Sequence, residues 1–584
     1  MDQEQPRHVR DAGLIAAIVA AGLSSLFIFL YLIRPQGPFC WDEAHRSLYS
    51  LLIAKSLFAG DGTTFMEVTS SQVYWPFLHS WISALFLMVG GFNYDAARCM
   101  SLVASAASTV GVYFLGKAVA GRHGTAVGLT AAALFLLSPL VLFFAATAMA
   151  ESLGTCITLM VLLAYLAAMD GNRMRLFLLA GALLALLYFT KYAYAVFVGL
   201  GLALSWVIGL ARRSERTEHA RMLARCWPLA VGFLVLYGLW MLSPPSMAKL
   251  RILLQRLRET GGWDFLKLGL RDRLLFYPRA LLTAYTFSPW IFILYVAGIV
   301  WGFVNWRQAR IRLLLLLFLA NLVPMAISTN LQERFIYTMM PALFVLSSLF
   351  LVHVWSQCNA KQRRWCVFLT LVIVAGDMHK MPAYIRVAGN STLGVLNHKA
   401  PKTRPTSTFF KLARYPSSWS QPANLLLPEN GHGVAEHSME DVFDFIWENT
   451  DPSIPLCAPV QLNSASPHLW QWHALLQNRH ISTEWQPNGF YFVSLEIDSN
   501  ALYRTMINLS LIEKYSEPSR VRLLDMAAKN IVRVVAEKEF SDMGMTASVY
   551  ARRISHSPPL PDQRVRANAS RAYNPRGQRG PVLK

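Results

Sequence analysis

Charge is in short supply. Asp, Glu, Lys and Arg make up only 15% of the 584 residues, against about 25% in an ordinary globular chain, and mean hydropathy is positive at +0.35. A soluble chain of this length needs more charged surface, so the shortage argues against the soluble class. Acids are scarcer than bases, 34 against 54. Cysteine pairing motifs are lacking. Cys40, Cys99, Cys156, Cys226, Cys358, Cys366 and Cys457 form no Cys-x-x-Cys pair, which leaves no zinc-ribbon or thiol-redox signature. Most lie in or beside apolar segments, where cysteine acts as a small hydrophobe. No internal repeat is visible. No small-residue cleavage site follows the polar start at 1–10, so the first apolar run reads as a retained helix.

What is abundant is apolar sequence, 54% of the chain. Runs close to the roughly 20 residues that cross a bilayer fall at 13–33, 96–116, 125–144, 152–169, 175–189, 192–210, 226–242, 288–305, 311–328, 336–354 and 365–380. They predict an α-helical polytopic membrane protein with about eleven transmembrane helices. Pro76–Phe92 is shorter, contains His79 and Ser80, and ends in Gly90-Gly91. If it lies in the interface and the N-terminus is cytoplasmic, the basic short loops all fall inside. These carry Lys117 and Arg122; Arg173 and Arg175; Arg212, Arg213, Arg216, Arg221 and Arg225; Arg307, Arg310 and Arg312; and Lys361, Arg363 and Arg364. That is the positive-inside pattern. The net charge of +20 is therefore a membrane-insertion signal, and nucleic acid is not an expected partner. The exception is 243–287, which falls outside with eight bases. Its alternation of basic and apolar residues suits a surface-lying amphipathic segment.

Beyond about residue 380 the composition becomes mixed. Strand-like runs at Ile454–Leu462, Gly489–Leu495, Ile531–Val535 and Ala547–Ala551 alternate with helical patterns at Ser438–Asn449 and Ala501–Tyr515. The expectation is a transmembrane domain at 1–380, an extracytoplasmic α/β domain at 381–554 and a disordered basic tail at 555–584.

With this sidedness, Asp42-Glu43 after the first span and Glu151 after the third share the outer face with Lys191 and Arg334. Ionisable groups at helix ends in a membrane are costly to bury and so point to function. Plainer roles exist. Asp42 and Glu43 could be a solvated loop, Glu151 could favour its helix dipole, Lys191 could snorkel and Arg334 could pair with Glu333.

The order of short motifs is more telling. Asp42-Glu43 comes first, then Tyr74-Trp75-Pro76 leading into the interfacial segment. Asp95-Ala96-Ala97-Arg98 opens the second span, Ala145-Ala146-Thr147-Ala148-Met149-Ala150-Glu151 closes the third, Thr190-Lys191 opens the sixth, and Arg334-Phe335-Ile336-Tyr337 precedes Pro341. Over residues 1–380 this resembles the GT-C superfamily of glycosyltransferases, in the branch of protein O-mannosyltransferases and lipid A aminoarabinose transferases.

The resemblance implies transfer of a sugar, with inversion, from a polyprenyl-phosphate donor to an extracytoplasmic lipid, glycan or protein. Asp42 would be the general base, with Glu43 and Glu151 orienting it or the acceptor. Lys191, Arg334, Tyr337 and Arg98 would hold the donor phosphate. His45, Tyr74 and His79 would line the acceptor or sugar pocket. A bacterial inner membrane is the expected location. The chain departs from the pattern at Trp75, where the aminoarabinose transferases carry a Lys, and at the single acid Glu151, where oligosaccharyltransferases have a metal-binding pair. No cofactor is implied, although Asp42, Glu43 and Glu151 could assemble a site for a hard divalent cation. A transporter is the rival class, but it would be expected to show a repeat and mid-membrane charges.

Overall fold

A computed structural model describes residues 7–34, 41–73, 76–171, 173–212, 215–243, 248–249, 251, 270–283, 285–286, 289–327 and 333–364. Beyond these it describes 439–450, the strands named below and a few isolated residues. The span expected at 365–380, most of the basic loop 243–287, the helix expected at 501–515 and the tail 555–584 lie outside the described residues.

The architecture is helical. α1 (Arg7–Ile28) runs into a π-turn at Phe29–Ile33; α2 (Trp41–Phe58), α3 (Gly62–Ser71) and α4 (Leu78–Gly90) follow. Next come α5 (Tyr94–Ala120), α6 (Gly124–Leu136), α7 (Pro139–Ala145), α8 (Ala150–Gly171), α9 (Met174–Thr190) and α10 (Tyr192–Ala211). α11 (Arg216–Leu223), α12 (Trp227–Leu242), α13 (Leu270–Thr283), α14 (Pro289–Val304) and α15 (Ala309–Ile327) lead to a 3-10 turn at Glu333–Met339 and α16 (Met340–Gln357). Six stretches among the described residues are long and apolar enough to cross a membrane: Ala12–Ile33, Tyr94–Leu136, Ala150–Gly171, Tyr192–Ala211, Ala309–Ile327 and Arg334–Gln357. α4, α9, α12 and α14 are shorter apolar helices.

The surface has the polarity of a membrane protein. Ile18, Leu23 and Leu26 of α1, Leu234 and Leu239 of α12, and Ile293, Val300 and Phe303 of α14 are exposed. Such apolar faces fit lipid rather than water. Ser105, Ser108, Thr158 and Asn321 are buried instead.

Two departures from the sequence expectation matter for the site. First, Trp41-Asp42-Glu43, expected in the loop after the first span, instead opens α2, and α3 follows. Second, the run 125–144 is broken. Pro139 opens α7 at its first turn, because proline has no N–H to continue the ladder of α6. The turn between α7 and α8 follows directly. Asn93 caps α5, accepting from the Ala96 N–H at 2.8 Å, and so sets where the helix carrying Arg98 begins. Against α6, α5 packs closely: a Cβ on Gly128 would meet the Tyr113 carbonyl at 2.4 Å. Small residues allow that approach where no water drives association.

Further along, α17 (Met439–Glu448) precedes a five-stranded mixed sheet. Its strands are β1 (Leu456–Cys457), β2 (Ile481–Ser482), β3 (Tyr491–Ile497), β4 (Val532–Phe540) and β5 (Met545–Arg552), in the order β2-β1-β3-β5-β4. β1 is parallel to β2 and β3, while β5 is antiparallel to β3 and β4. A register shift between Val534 and Ala536 marks an irregularity in β4. Four of the strands lie within or across the four runs read from the sequence. β2, two residues long, left no alternation to find.

Candidate active site

The charged residues gather at the end of the bundle where α8 begins, in two groups. The first is a closed knot. Glu43, on the first turn of α2, is fully buried. Its carboxylate accepts from Arg98 Nε at 2.8 Å and Nη2 at 3.2 Å, a two-pronged pairing, and from the Ala148 N–H at 2.8 Å. The knot therefore ties α2, α5 and the turn before α8 together. Ser101 Oγ donates to the Met149 carbonyl and Ser152 Oγ to the Phe144 carbonyl, so the turn is held from several sides. Arg98, expected at the donor phosphate, is engaged here and is fully buried.

The second group is open. Glu151 lies in the first turn of α8, where the helix N-terminus favours an anion. Lys191, at the break between α9 and α10, donates from Nζ to Glu151 Oε1 at 2.8 Å. Arg334 Nε stands 3.9 Å from the same oxygen. Arg46 is buried and within electrostatic reach of Glu151 and Lys191. Tyr194 OH lies 3.2 Å from Lys191 Nζ and 3.4 Å from Glu151 Oε1. The other oxygen of Glu151, Oε2, is buried without a hydrogen-bond partner.

Aromatic faces support the cations. Lys191 Nζ lies 4.7 Å from the Tyr194 ring centre and 5.3 Å from that of Phe335, and the Arg334 guanidinium lies 6.0 Å from Phe335. Gly154, one turn beyond Glu151, makes room for Tyr194: a Cβ there would meet the ring at 2.6 Å. Burial lowers the Lys191 pKa below its ordinary value, and Glu151 opposes the shift.

The structure thus brings Glu151, Lys191 and Arg334 into one cluster, with Glu43 and Arg98 in the neighbouring knot. Tyr337 is buried, with its ring centre 4.9 Å from that of Phe144. His79, on α4, is fully buried and within electrostatic range of Arg46 and Glu151. His45 packs edge-on against Tyr49 with centres 5.0 Å apart. Position 42 lies on the first turn of α2, and its side chain and Tyr74 fall outside the described residues.

Arg46 and Tyr194 were missed from the sequence. For Arg46 the signal was present: it stands three residues after Glu43 and four after Asp42, the spacing that shares a helix face. It stayed hidden because no hydropathy pattern marks α2 as a helix. Tyr194 carried no signal beyond its nearness to Lys191. Among the described residues no group of three or more His, Cys, Asp or Glu could hold a metal ion, and Glu43 already accepts hydrogen bonds from Arg98 and the Ala148 N–H.

Residues 75–243 match the family profile described as dolichyl-phosphate-mannose-protein mannosyltransferase. Comparison with curated proteins gives no match. Among solved structures, ArnT from Cupriavidus metallidurans in the apo state is similar, with a TM-score of 0.56 at 14% identity over 92% of this chain and 98% of that one. The same protein bound to undecaprenyl phosphate gives 0.52 at 14% identity over 93% and 99%. The apo oligosaccharyltransferase of Archaeoglobus fulgidus gives 0.50 at 11% identity over 82% and 69%. The chain has the GT-C fold, in the form found in ArnT, and the resemblance read from its motifs holds at the level of the fold.

Proposed function

We propose that this membrane protein is a glycosyltransferase that takes a sugar from a polyprenyl-phosphate donor and passes it, with inversion, to an acceptor on the extracytoplasmic side. The observation that carries the reading is the convergence of Lys191, Arg334 and Arg46 on Glu151. Positive charge fixed at a buried helix end suits a phosphate, and it gains most where charge grows during reaction. The donor phosphodiester carries one negative charge. When the bond from the anomeric carbon to the phosphate oxygen breaks, the leaving lipid phosphate carries more. The cations stabilise that increase. The likeness to ArnT, which has been seen bound to undecaprenyl phosphate, supports the same class of lipid.

The acceptor hydroxyl oxygen attacks the anomeric carbon and its proton passes to Asp42 as general base. Position 42 stands on α2 one turn ahead of Arg46, in the register that shares its face. Glu43 anchors that turn through Arg98, and Glu151 organises the cations. The domain boundaries at 1–380, 381–554 and 555–584, a cytoplasmic N-terminus and a bacterial inner membrane belong to the same reading. So does an outer domain covering the site; Lys55 of α2 donates to the Leu475 carbonyl at 2.5 Å, a contact consistent with that position.

The test is to incubate purified protein with radiolabelled undecaprenyl-phosphate sugars and membrane extract, and to follow the label. Transfer by wild type with a loss of about 100- to 10,000-fold in Asp42→Asn is expected from removal of a positioned base. Full activity in Asp42→Asn would remove the base assignment. A transporter, the rival class, would move label across vesicles without forming a new glycosidic bond.

A further inference from the structure

We infer that Lys249 is a positioning residue for Lys191, acting through the side chains of Trp240 and Phe189. The inference rests on the reading of Lys191 as a cation of the donor phosphate and says what holds that cation in place.

Lys249 lies in the basic segment 243–287 and is nevertheless buried. A buried ammonium needs its three N–H donors answered. All three find oxygen at the end of α12: the Trp240 carbonyl at 2.7 Å, the Ser243 carbonyl at 2.8 Å and Ser243 Oγ at 2.5 Å. The same nitrogen lies 3.5 Å from the centre of the Trp240 ring. The last turn of a helix presents carbonyls without intrahelical partners and a partial negative charge, so it takes a cation. Lys249 therefore has no N–H left for a phosphate and serves as a clasp.

What the clasp fixes is Trp240, held by its carbonyl and by the face of its indole. The Trp240 ring centre lies 4.5 Å from that of Phe77 and 6.0 Å from that of Phe189, and Phe77 stacks on Phe189 at 5.2 Å. Phe189 stands in the last turn of α9, two residues before Lys191. Lys191 itself has extended backbone, with φ −162° and ψ 117°, at the break between α9 and α10. Its side chain is therefore aimed by whatever holds the two helix ends. On the α10 side, Tyr192 OH donates to the Val73 carbonyl. On the α9 side, Phe189 rests on the ring cluster that Lys249 grips. Close-packed interiors transmit displacement, so an indole released from Lys249 moves Phe189 and the break with it.

The test measures kcat/KM for radiolabelled undecaprenyl-phosphate mannose, glucose and galactose, using whichever wild type transfers. Lys249→Met and Lys249→Arg are compared in the wild-type and Lys191→Met backgrounds. Lys249→Met should lose about 10-fold, a part of the roughly 100-fold that an ångström of misplacement can cost. Lys249→Arg should recover most of the loss, since a guanidinium also donates to carbonyls and stacks on an indole. In the Lys191→Met background, Lys249→Met should cost nothing further, because residues that act through one group are not additive. Trp240→Phe keeps the carbonyl contacts and shortens the ring. It should behave as Lys249→Met does, and it carries the same comparison if Lys249→Met fails to fold. A direct phosphate contact, or a general loss of stability, would weaken both backgrounds alike. That result, or full activity in Lys249→Met, overturns the inference while glycosyl transfer stands. A wild type that transfers none of the sugars overturns both.

Discussion

Two buried carboxylates stand at the same end of this bundle and are treated in opposite ways. Glu43 accepts from three donors on two other parts of the chain. Glu151 has one close ammonium, two guanidinium groups further off and an oxygen with no partner at all. A closed, fully bonded charge pair in a low-dielectric interior holds helices in place. An open one, with cations gathered and acceptor capacity to spare, suits the phosphate binding proposed above. Position along the chain does not separate the two roles, and degree of satisfaction does.

The largest effect should come from opening the knot. Glu43→Gln leaves the buried Arg98 guanidinium without its countercharge and should cost about 3–5 kcal/mol of stability, read as a lowered unfolding transition in detergent. Glu43→Gln combined with Arg98→Met should recover a good part of the loss, since neither charge is then stranded. If Glu43→Gln unfolds like wild type, the contrast between the two carboxylates collapses.

Lys191→Met tests the open group from the other side. Arg334 and Arg46 still face Glu151 in this variant, so the loss of stability should be well below that of Glu43→Gln. Donor turnover should fall about 100- to 1,000-fold, the range for removing one preorganised donor from a developing anion. The same lysine gives a pH expectation. Burial lowers its pKa from the ordinary 10.5, so the ammonium is charged at low pH and is lost earlier than usual as pH rises. Donor KM should climb on the alkaline side at a lower pH than an exposed lysine would give.

Much of this contrast was legible before the structure. The apolar runs gave α8, α9, α10 and α12 to within two residues at either end, because a bilayer demands long apolar segments, and the basic loops gave their sidedness. The shared end for Glu151, Lys191 and Arg334 followed from counting spans. Satisfaction, by contrast, depends on which side chains meet in space. Nothing in Asp95-Ala96-Ala97-Arg98 says that Arg98 turns to Glu43, 55 residues away, rather than to a ligand. α2 escaped because it mixes Asp, Glu, Arg and Ser with apolar residues, as an interfacial helix does, and carries no hydropathy peak.

Gly154→Ala sharpens the comparison at smaller amplitude. The new methyl would meet the Tyr194 ring at 2.6 Å, so the ring or α10 must shift. Overpacking of this kind costs about 1–3 kcal/mol. Since Tyr194 OH touches both Lys191 and Glu151, donor use should fall along with the melting temperature. A variant that melts lower with unchanged donor KM would show that Tyr194 only fills space.

The smallest effect belongs to the far end of α8. Asp170 there accepts from Arg310 at 2.5 Å, but the two side chains are 52% and 41% exposed. Contact distance alone would rank this pair beside the Glu43 knot. Solvent makes the difference: water screens the attraction, and holding two long side chains together costs entropy, so exposed pairs contribute about 0.2–1 kcal/mol. Arg310 also donates to the Ala118 carbonyl, which keeps it tethered when the acid is removed. Asp170→Asn should therefore leave the unfolding transition and the turnover rate within experimental error of wild type. A loss comparable to that of Glu43→Gln would mean that geometry rather than burial decides which ion pairs matter here, and the division between a closed knot and an open site would have to be drawn again.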